Sequence, residues 1–164
     1  MSTGKIEIIC GNGLGKTAFA LGRGMQALTK QKNVIVIQFL KGNQSQESLD
    51  VVKRLEPEMK MFRFEKSSCY FEQLSEEAKR EEYLNIRNGL NYAKKVLTTG
   101  ECDLLILDEV LGLLDQGIVS VDELKVLLDC RDEADVILSG KYLPDELRTI
   151  ADRIEQIEHI EVDK

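Results

Sequence analysis

The sequence predicts a three-layer α/β fold, in which a mostly parallel sheet of about six strands lies between helices on both faces. Two observations predict this class. Short apolar runs alternate along the chain with longer segments whose apolar residues recur every three or four positions. Several of the short runs are apolar at nearly every position, which is typical of strands covered on both faces. We therefore expect parallel strands joined by right-handed crossovers.

Six short runs are predicted to form the strands. The first is β-branched and stops at a glycine-rich loop, the second is almost wholly apolar, and the third alternates in character along its length. The fourth is an apolar run that ends in two carboxylates, and the last two follow predicted helices. In chain order they are Lys5–Cys10, Asn33–Phe39, Met59–Phe64, Asp103–Glu109, Asp135–Ser139 and Ile157–Val162.

Four segments are predicted to be helices. One begins near Lys16, directly after the glycine-rich loop, and a long one runs from Ser75 to about Leu97 and ends before Gly100, its apolar stripe facing the core. A capping box starts the third at Ser120, and Pro144 starts the fourth. The polar segments Gly42–Glu58, which opens with Asn43, Gln44, Ser45 and Gln46, and Lys66–Ser75 are predicted to be mobile loops at the carboxyl edge of the sheet, where ligands of parallel sheets bind.

Composition limits the function classes. The chain has 164 residues, of which 43% are apolar and 31% charged, so residues 1–164 are expected to form one domain. The net charge of −7 and the lack of a Lys/Arg-rich run argue against nucleic-acid binding. No apolar run approaches the roughly 20 residues that span a bilayer, and the N-terminus has no signal peptide, so a cytoplasmic protein without a membrane partner is expected. The four cysteines, which lack metal-ligand spacing, are expected to be reduced and structural: Cys10, Cys69, Cys102 and Cys130.

The strongest chemical signal is the run Gly11-Asn12-Gly13-Leu14-Gly15-Lys16-Thr17. It matches the end of the phosphate-loop pattern G-x-x-x-x-G-K-[ST], with Cys10 in place of the first glycine. Glycines let successive backbone N–H groups form a nest for an anion, and the helix that follows directs its positive end at the same place. Lys16 adds a cation and Thr17 a hydroxyl for Mg²⁺. A glycine-rich turn that binds nothing is the alternative, but the flanking strand and helix favour a nucleotide site.

Asp108 and Glu109 end the fourth predicted strand and are the candidate metal-binding acids. On an extended strand their side chains point to opposite faces, so one is expected to hold Mg²⁺ while the other, in a hydrolase, would orient water. A merely solvated strand end is the alternative. Lys41 follows the second strand and is predicted to reach a phosphate, unless it is a plain surface lysine. Tyr70 and Phe71 either pack on a flat ligand or anchor their loop.

Taken together, these residues resemble the P-loop ATP:corrinoid adenosyltransferase family, which acts on cob(I)alamin or cob(I)yrinic acid a,c-diamide. The resemblance covers most of the chain, and its motifs are far more specific than a general phosphate loop. The motifs are Gly11-Asn12-Gly13, Gly15-Lys16-Thr17, Val36-Ile37-Gln38-Phe39-Leu40-Lys41-Gly42, Leu107-Asp108-Glu109, Ile137-Leu138-Ser139-Gly140 and Leu147-Arg148-Thr149-Ile150-Ala151-Asp152.

The resemblance implies a RecA-like sheet, a homodimer, and a transferase that moves the 5′-deoxyadenosyl group of ATP to Co(I) of a reduced corrinoid, with release of triphosphate. Lys16, the loop amides and Mg²⁺ would together stabilise the triphosphate. Thr17, Glu109 and Asp108 would bind the Mg²⁺. The corrinoid would lie across the carboxyl edge, where Tyr70 and Phe71 are the nearest candidates to displace its lower axial ligand. A flavoprotein or other reductase would supply electrons.

The chain departs from the family pattern on both sides of the implied site, as a short, divergent member would. The family usually has Lys where this chain has Leu14, and Arg where it has Gln26 and Lys141. The usual Gly-Phe-x-Trp stretch is absent, the chain has no Trp, and it stops at Lys164 before the usual tail. Two alternatives therefore stay open: a P-loop ATPase or nucleotide switch, and a non-catalytic relative that binds nucleotide or corrinoid.

Overall fold

The computed structural model of the protein describes residues 3–41 and 46–164, with only the backbone described for 46–48. In this part of the chain six strands form one sheet in which every neighbouring pair is parallel. They are β1 (Ile6–Cys10), β2 (Val34–Gln38), β3 (Met59–Arg63), β4 (Leu104–Asp108), β5 (Asp135–Ser139) and β6 (Arg153–Gln156). The order across the sheet is β3-β2-β4-β5-β1-β6, which confirms the predicted fold class.

Six helices connect the strands within the described residues. They are α1 (Lys16–Leu28), α2 (Gln46–Lys53), α3 (Glu76–Thr99), α4 (Val110–Asp115), α5 (Val121–Asp129) and α6 (Asp145–Arg148), and a single 3₁₀ turn spans Phe71–Gln73. The sequence signals for two of their starts are confirmed. Ser75 caps α3 by accepting a hydrogen bond from the Ala78 amide, and Ser120 caps α5 with Glu123 in a complete capping box.

Apolar residues cover both faces of the sheet. Successive residues of a strand point to opposite faces, so Leu105 packs on one side and Ile106 on the other, and both are fully buried. Helices α3 and α5 bury their stripes on the Leu105 side, for example through Ile86, whereas α1 contributes Ala20 to the Ile106 side. The layers therefore hold the sheet by packing on both faces, as the wholly apolar strands predict.

The strand order brings distant parts of the chain to one edge. Strand β5 lies between β1 and β4, so Ser139 at its end separates the glycine-rich loop after β1 from the carboxylates after β4. On the other side of β4, Gln38 is in register with Asp108. Because all strands run the same way, these polar ends meet at the carboxyl edge of the sheet.

The predicted position of the last strand is wrong. Strand β6 is Arg153–Gln156, while the predicted segment Ile157–Val162 has no regular secondary structure. The reason is that β6 lies at the edge of the sheet and is largely exposed, so it carries charges instead of an apolar run. The apolar residues beyond it have other roles: the Ile157 backbone bonds the glycine-rich loop, and Ile160 is 79% exposed.

The prediction that Gly42–Glu58 is a loop is also wrong in part, because α2 occupies Gln46–Lys53. The helical pattern in the sequence is short, because only Leu49, Val52 and Leu55 recur every three residues. Val52 is buried against the sheet. Residues 42–45, which include the predicted polar positions Asn43, Gln44 and Ser45, lie outside the described residues. The segment Lys66–Ser75 is a loop, as predicted, apart from its one 3₁₀ turn.

Candidate functional site

The glycine-rich loop joins β1 to α1 and leaves the start of the helix open. Gly15 precedes α1 in the left-handed conformation, with φ 99° and no side-chain cap. An ordinary residue is strained at this φ, so glycine is required there for the turn alone. Because no side chain caps the helix, its first amides are free to bind an anion.

The first half of this loop is held by the chain itself. The Gly11 amide donates to the Lys141 carbonyl at 3.1 Å, and the Gly13 amide donates to the Ile157 carbonyl at 2.9 Å. A Cβ on Gly11 would lie 2.1 Å from that Ile157 oxygen, so this glycine permits a close approach of two backbones. Asn12 accepts a bond from the His159 amide at 3.3 Å. The amides left for a phosphate are those from Leu14 to Thr17.

Three predicted site residues meet beside the start of α1. Thr17 Oγ1 donates to Asp108 Oδ2 at 2.8 Å, and Lys41 Nζ lies 2.9 Å from that hydroxyl oxygen and 3.1 Å from the same carboxylate oxygen. Lys41 is therefore not a plain surface lysine, since its side chain is only 13% exposed. Lys16, by contrast, donates to the Gly13 carbonyl at 3.0 Å and folds back over the loop.

Asp108 is 1% exposed and is held by further polar residues that the sequence analysis missed. Gln38 Nε2 donates to Asp108 Oδ2 at 3.1 Å, and Ser139 Oγ donates to Oδ1 at 2.7 Å. Arg63 Nε in turn donates to Gln38 Oε1 at 2.7 Å. All three are the last residue of an otherwise mainly apolar strand, and that shared position was the signal that could have identified them.

Glu109 follows β4 in the left-handed region, with φ 63°, and its amide donates to Ser139 Oγ at 2.8 Å. The two acids differ in burial, since Asp108 is 1% exposed whereas Glu109 is only partly buried. Burial is the main reason that the pKa of Glu109 lies above its ordinary value; the Lys41 charge opposes the shift and the Asp108 charge adds to it.

Two clefts open at this edge and share Glu109. The phosphate cleft, of about 500 Å³, is lined by the loop, by Lys16, Thr17 and Lys41, and on one side by the apolar residues Leu14, Leu21, Val52 and Met61. The second cleft, of about 420 Å³, is lined by Tyr70, Phe71 and Tyr142 together with Leu40, Glu72, Gly112, Asp115, Gln116 and Lys141.

The two aromatic residues predicted from the loop both line the second cleft, but they differ in packing. Tyr70 is 46% exposed, whereas Phe71 packs partly against the core and lies 5.8 Å from the Lys79 ammonium. Phe71 thus anchors the loop as well as facing the cleft. His159 lies in the segment after β6, outside both clefts.

The donor set at Asp108 and Thr17 fits a hard divalent cation. Both offer oxygen ligands, and Mg²⁺ is usually bound by one or two such groups together with phosphate oxygens and waters. The Lys41 ammonium within 3.1 Å of Asp108 shows that positive charge is favoured at this point. Among the described residues no cluster of three or more His, Cys, Asp or Glu forms a separate metal cage. The described helices also include none with the length and hydropathy of a membrane span.

Comparisons with known proteins relate the chain to one family. Residues 2–162 match the family model described as ATP:corrinoid adenosyltransferase BtuR/CobO/CobP. The chain is 26% identical to the corrinoid adenosyltransferase CobA of Salmonella typhimurium, covering 94% of this chain and 76% of that protein, and 25% identical to the corrinoid adenosyltransferase of Escherichia coli K12 over the same shares. It is 28% identical to protein all2391 of Nostoc sp. PCC 7120, with 92% of this chain matched but only 42% of that protein.

A solved structure supports the fold. The KaiC-like protein PH0186 of Pyrococcus horikoshii OT3 superposes with a TM-score of 0.62 at 14% identity, covering 98% of this chain and 74% of the other. At this identity the likeness concerns the fold alone.

Proposed function

The chain belongs to the ATP:corrinoid adenosyltransferase family, a family of transferases, and we propose that it moves the 5′-deoxyadenosyl group of ATP to the cobalt of a reduced corrinoid. Cobalt(I) supplies the electron pair that forms the cobalt–C5′ bond, the C5′–O5′ bond breaks, and triphosphate leaves with that bonding pair. The protein needs no catalytic base for this displacement, because the nucleophile carries no proton. Its task is to position C5′ in line and to stabilise the leaving polyphosphate.

The observation that carries this proposal is the meeting of Thr17, Lys41 and Asp108 beside the open start of α1. Two lysines, Lys16 and Lys41, line the same cleft as the uncapped helix. In a chain of net charge −7, this local concentration of positive charge and free amides favours a polyphosphate. We assign the loop from Gly11 to Thr17, together with Lys41, to ATP. Its first half, bonded to Lys141 and Ile157, shapes the loop, and the amides from Leu14 to Thr17 contact phosphate oxygens. Lys16 neutralises charge that develops on the leaving group.

We assign the metal site to Thr17 and Asp108, with Glu109, which lines the same cleft, as a further oxygen ligand of the ion or of its waters. Bound there, Mg²⁺ would supply charge neutralisation for the triphosphate. Asp108 keeps a fixed orientation because Gln38 and Ser139 donate to its two oxygens. This support holds the carboxylate ready to accept from the Thr17 hydroxyl or from a water of the hydrated ion.

We assign the corrinoid to the second cleft, where Tyr70 and Phe71 face the shared residue Glu109. Aromatic side chains offer the broad apolar surface that a planar macrocycle can pack on. The position supports transfer because the two clefts meet at one residue, so groups bound in them can approach each other. A reductase is proposed as the electron source, since cobalt(I) must be generated before each transfer. The homodimer stays a prediction.

Product analysis tests the proposal against both alternatives. The protein is incubated without oxygen with MgATP and a chemically reduced corrinoid, and the products are followed by the cobalt–carbon absorption spectrum and by phosphate chromatography. We expect equal amounts of adenosylated corrinoid and triphosphate. Formation of ADP and phosphate instead would identify an ATPase, and MgATP binding without either product would identify a non-catalytic relative.

A further inference from the structure

Glu65 lies two residues beyond β3 and is bonded to the backbone of a neighbouring strand end. Its Oε1 accepts a hydrogen bond from the Leu40 amide at 2.7 Å. Leu40 is the first residue after β2 whose amide does not bond to a neighbouring strand. The preceding amide, that of Phe39, still donates to the Asp108 carbonyl of β4 at 2.9 Å. The Glu65 carboxylate therefore accepts the first amide after the point where β2 stops pairing with β4.

The conformation held in this way is unusual for a residue with a side chain. Leu40 has φ 55°, in the left-handed region, which is strained for a residue with a Cβ. Its side chain lies against α4, since a Cβ added to Gly112 would be 2.8 Å from Leu40 Cδ1. The turn at Leu40 is thus fixed at the amide by Glu65 and at the side chain by α4.

This turn sets the direction of the next residue, Lys41. Lys41 Nζ lies within 3.1 Å of both the Thr17 hydroxyl and the Asp108 carboxylate, and the residue lines the phosphate cleft. If Leu40 relaxed to a right-handed or extended conformation, the Lys41 side chain would leave on a different path. In this structure the ammonium reaches the cleft from a backbone that turns through the left-handed conformation at Leu40.

The backbone just after Glu65 is bonded to a buried carboxylate of α3. Glu82 of α3 is 5% exposed and accepts from the Lys66 and Ser67 amides, at 3.0 and 3.3 Å, and from Asn85 Nδ2 at 2.9 Å. These bonds fix the start of the loop that carries Tyr70 and Phe71. Glu65 therefore lies between the root of that loop and the backbone that presents Lys41.

We propose that Glu65 is a positioning residue for nucleotide binding: its carboxylate fixes the left-handed turn at Leu40 and thereby directs Lys41 into the phosphate cleft. The inference rests on the proposed function in one respect, that Lys41 contacts the polyphosphate of ATP. It goes beyond that function because Glu65 touches neither cleft and acts only through the backbone of Leu40.

The charge of Glu65 gives this role a pH dependence. Burial is the main reason that its pKa is raised to about 7, the negative charge of Glu82 on α3 adds to the shift, and the Leu40 amide on the β2 side opposes it. An ionised carboxylate binds an amide more strongly than a neutral carboxyl does. MgATP affinity should therefore rise as Glu65 ionises between pH 6 and pH 8.

The test is calorimetric titration of MgATP, without corrinoid, into the original protein and its variants. Glu65→Ala should weaken binding about tenfold, whereas Glu65→Gln, whose amide oxygen can accept from Leu40, should stay within about threefold of the original protein. The original protein should gain about threefold in affinity from pH 6 to pH 8 relative to Glu65→Gln, and the two should converge at pH 6. If Glu65→Ala does not fold, this pH comparison still decides the matter.

Asp103→Ala is the matched control, since Asp103 also accepts a backbone amide, that of Asn33 at 2.8 Å, at the opposite edge of the sheet. Equal losses of MgATP affinity in the Glu65 and Asp103 alanine variants, or identical pH profiles for Glu65→Gln and the original protein, would overturn the inference.

The variant Lys16→Ala distinguishes failure of the positioning role from failure of the proposed phosphate site. If Lys16→Ala also leaves MgATP binding unchanged, the phosphate site itself is misplaced; if it weakens binding while Glu65→Ala does not, only the positioning role fails.

Discussion

Asp108 gathers four donors on one buried carboxyl group, from Thr17, Gln38, Lys41 and Ser139. Asp108→Asn keeps the shape but turns an amide NH₂ towards groups that themselves donate, and it leaves Lys41 without a counter-charge. We expect the free energy of unfolding to fall by about 2 kcal/mol and MgATP affinity to fall at least about tenfold. Urea denaturation and calorimetry measure the two effects, and unchanged MgATP affinity would contradict the assignment of Asp108 to the metal.

Substitution of Lys16 should lower the affinity for MgATP without lowering the stability of the fold. Among the described residues its ammonium donates to the Gly13 carbonyl of its own loop and to no other group, so we expect the fold to gain little from it. Lys16→Ala should weaken MgATP binding about a hundredfold while changing the free energy of unfolding by less than about 0.5 kcal/mol. Lys30→Ala, an exposed lysine just beyond the end of α1, is the control and should bind like the original protein. A comparable loss in both variants would indicate a general charge effect.

Glu65 should also make the free energy of unfolding depend on pH. Its pKa of about 7 in the native state lies above the ordinary 4.5, so the native state holds its proton more tightly than the unfolded chain does. Stability from this group is therefore full below pH 4.5 and is lost as the pH rises to about 7, by about 2 kcal/mol after allowance for partial exposure. Denaturation curves of the original protein and Glu65→Gln should diverge by this amount between pH 5 and pH 8; parallel curves would show that Glu65 titrates normally.

The residues that the sequence analysis missed share one physical reason. Lys16, Thr17 and Asp108 were predicted because their motifs are local, whereas Gln38, Arg63 and Ser139 become site residues only when the strand order is known. Strand β5 inserts between β1 and β4, which places Ser139 beside Asp108. A polar residue that ends an apolar strand indicates the functional edge, but the sequence alone does not tell which neighbour it meets.

At the scale of elements, the segment after β6 supports the glycine-rich loop. The Ile157 amide donates to the Cys10 carbonyl at 2.8 Å, and its own carbonyl accepts the Gly13 amide at 2.9 Å. Ending the chain after Gln156 should therefore loosen the loop and weaken MgATP binding about tenfold, by loss of two or three hydrogen bonds. Ending it after His159 removes only residues 160–164 and should leave MgATP affinity unchanged. Similar calorimetric results for the two shortened chains would show that Ile157 has no such role.

Element prediction succeeded where one physical signal dominated. The buried strands β2 and β4 are apolar up to their last residue, and the starts of α3 and α5 carry capping residues. Both kinds of element were therefore predicted close to their observed bounds. The predictions failed for the edge strand β6, which is largely exposed, and for helix α2, in which Val52 is the buried apolar residue among the described side chains. Their positions depend on contacts with the sheet, which a short local pattern does not contain.

At the scale of the whole molecule, one sheet edge supports two clefts that should respond to separate substitutions. The phosphate cleft depends on Lys16 and Lys41, and the second cleft on the aromatic loop, with Glu109 shared between them. Phe71→Ala removes a ring from the second cleft without touching the phosphate loop. It should therefore lower corrinoid turnover about tenfold and leave MgATP affinity within about twofold.

Glu109→Gln should behave differently, because this side chain lines both clefts. It keeps the size of the side chain but removes a charge next to Lys41, so MgATP affinity and corrinoid turnover should both change. Calorimetry with MgATP and anaerobic turnover with reduced corrinoid measure the two properties on the same preparations.

If Phe71→Ala weakened MgATP binding as much as turnover, the two clefts would not be separate sites, and the second cleft would lose its assignment to the corrinoid.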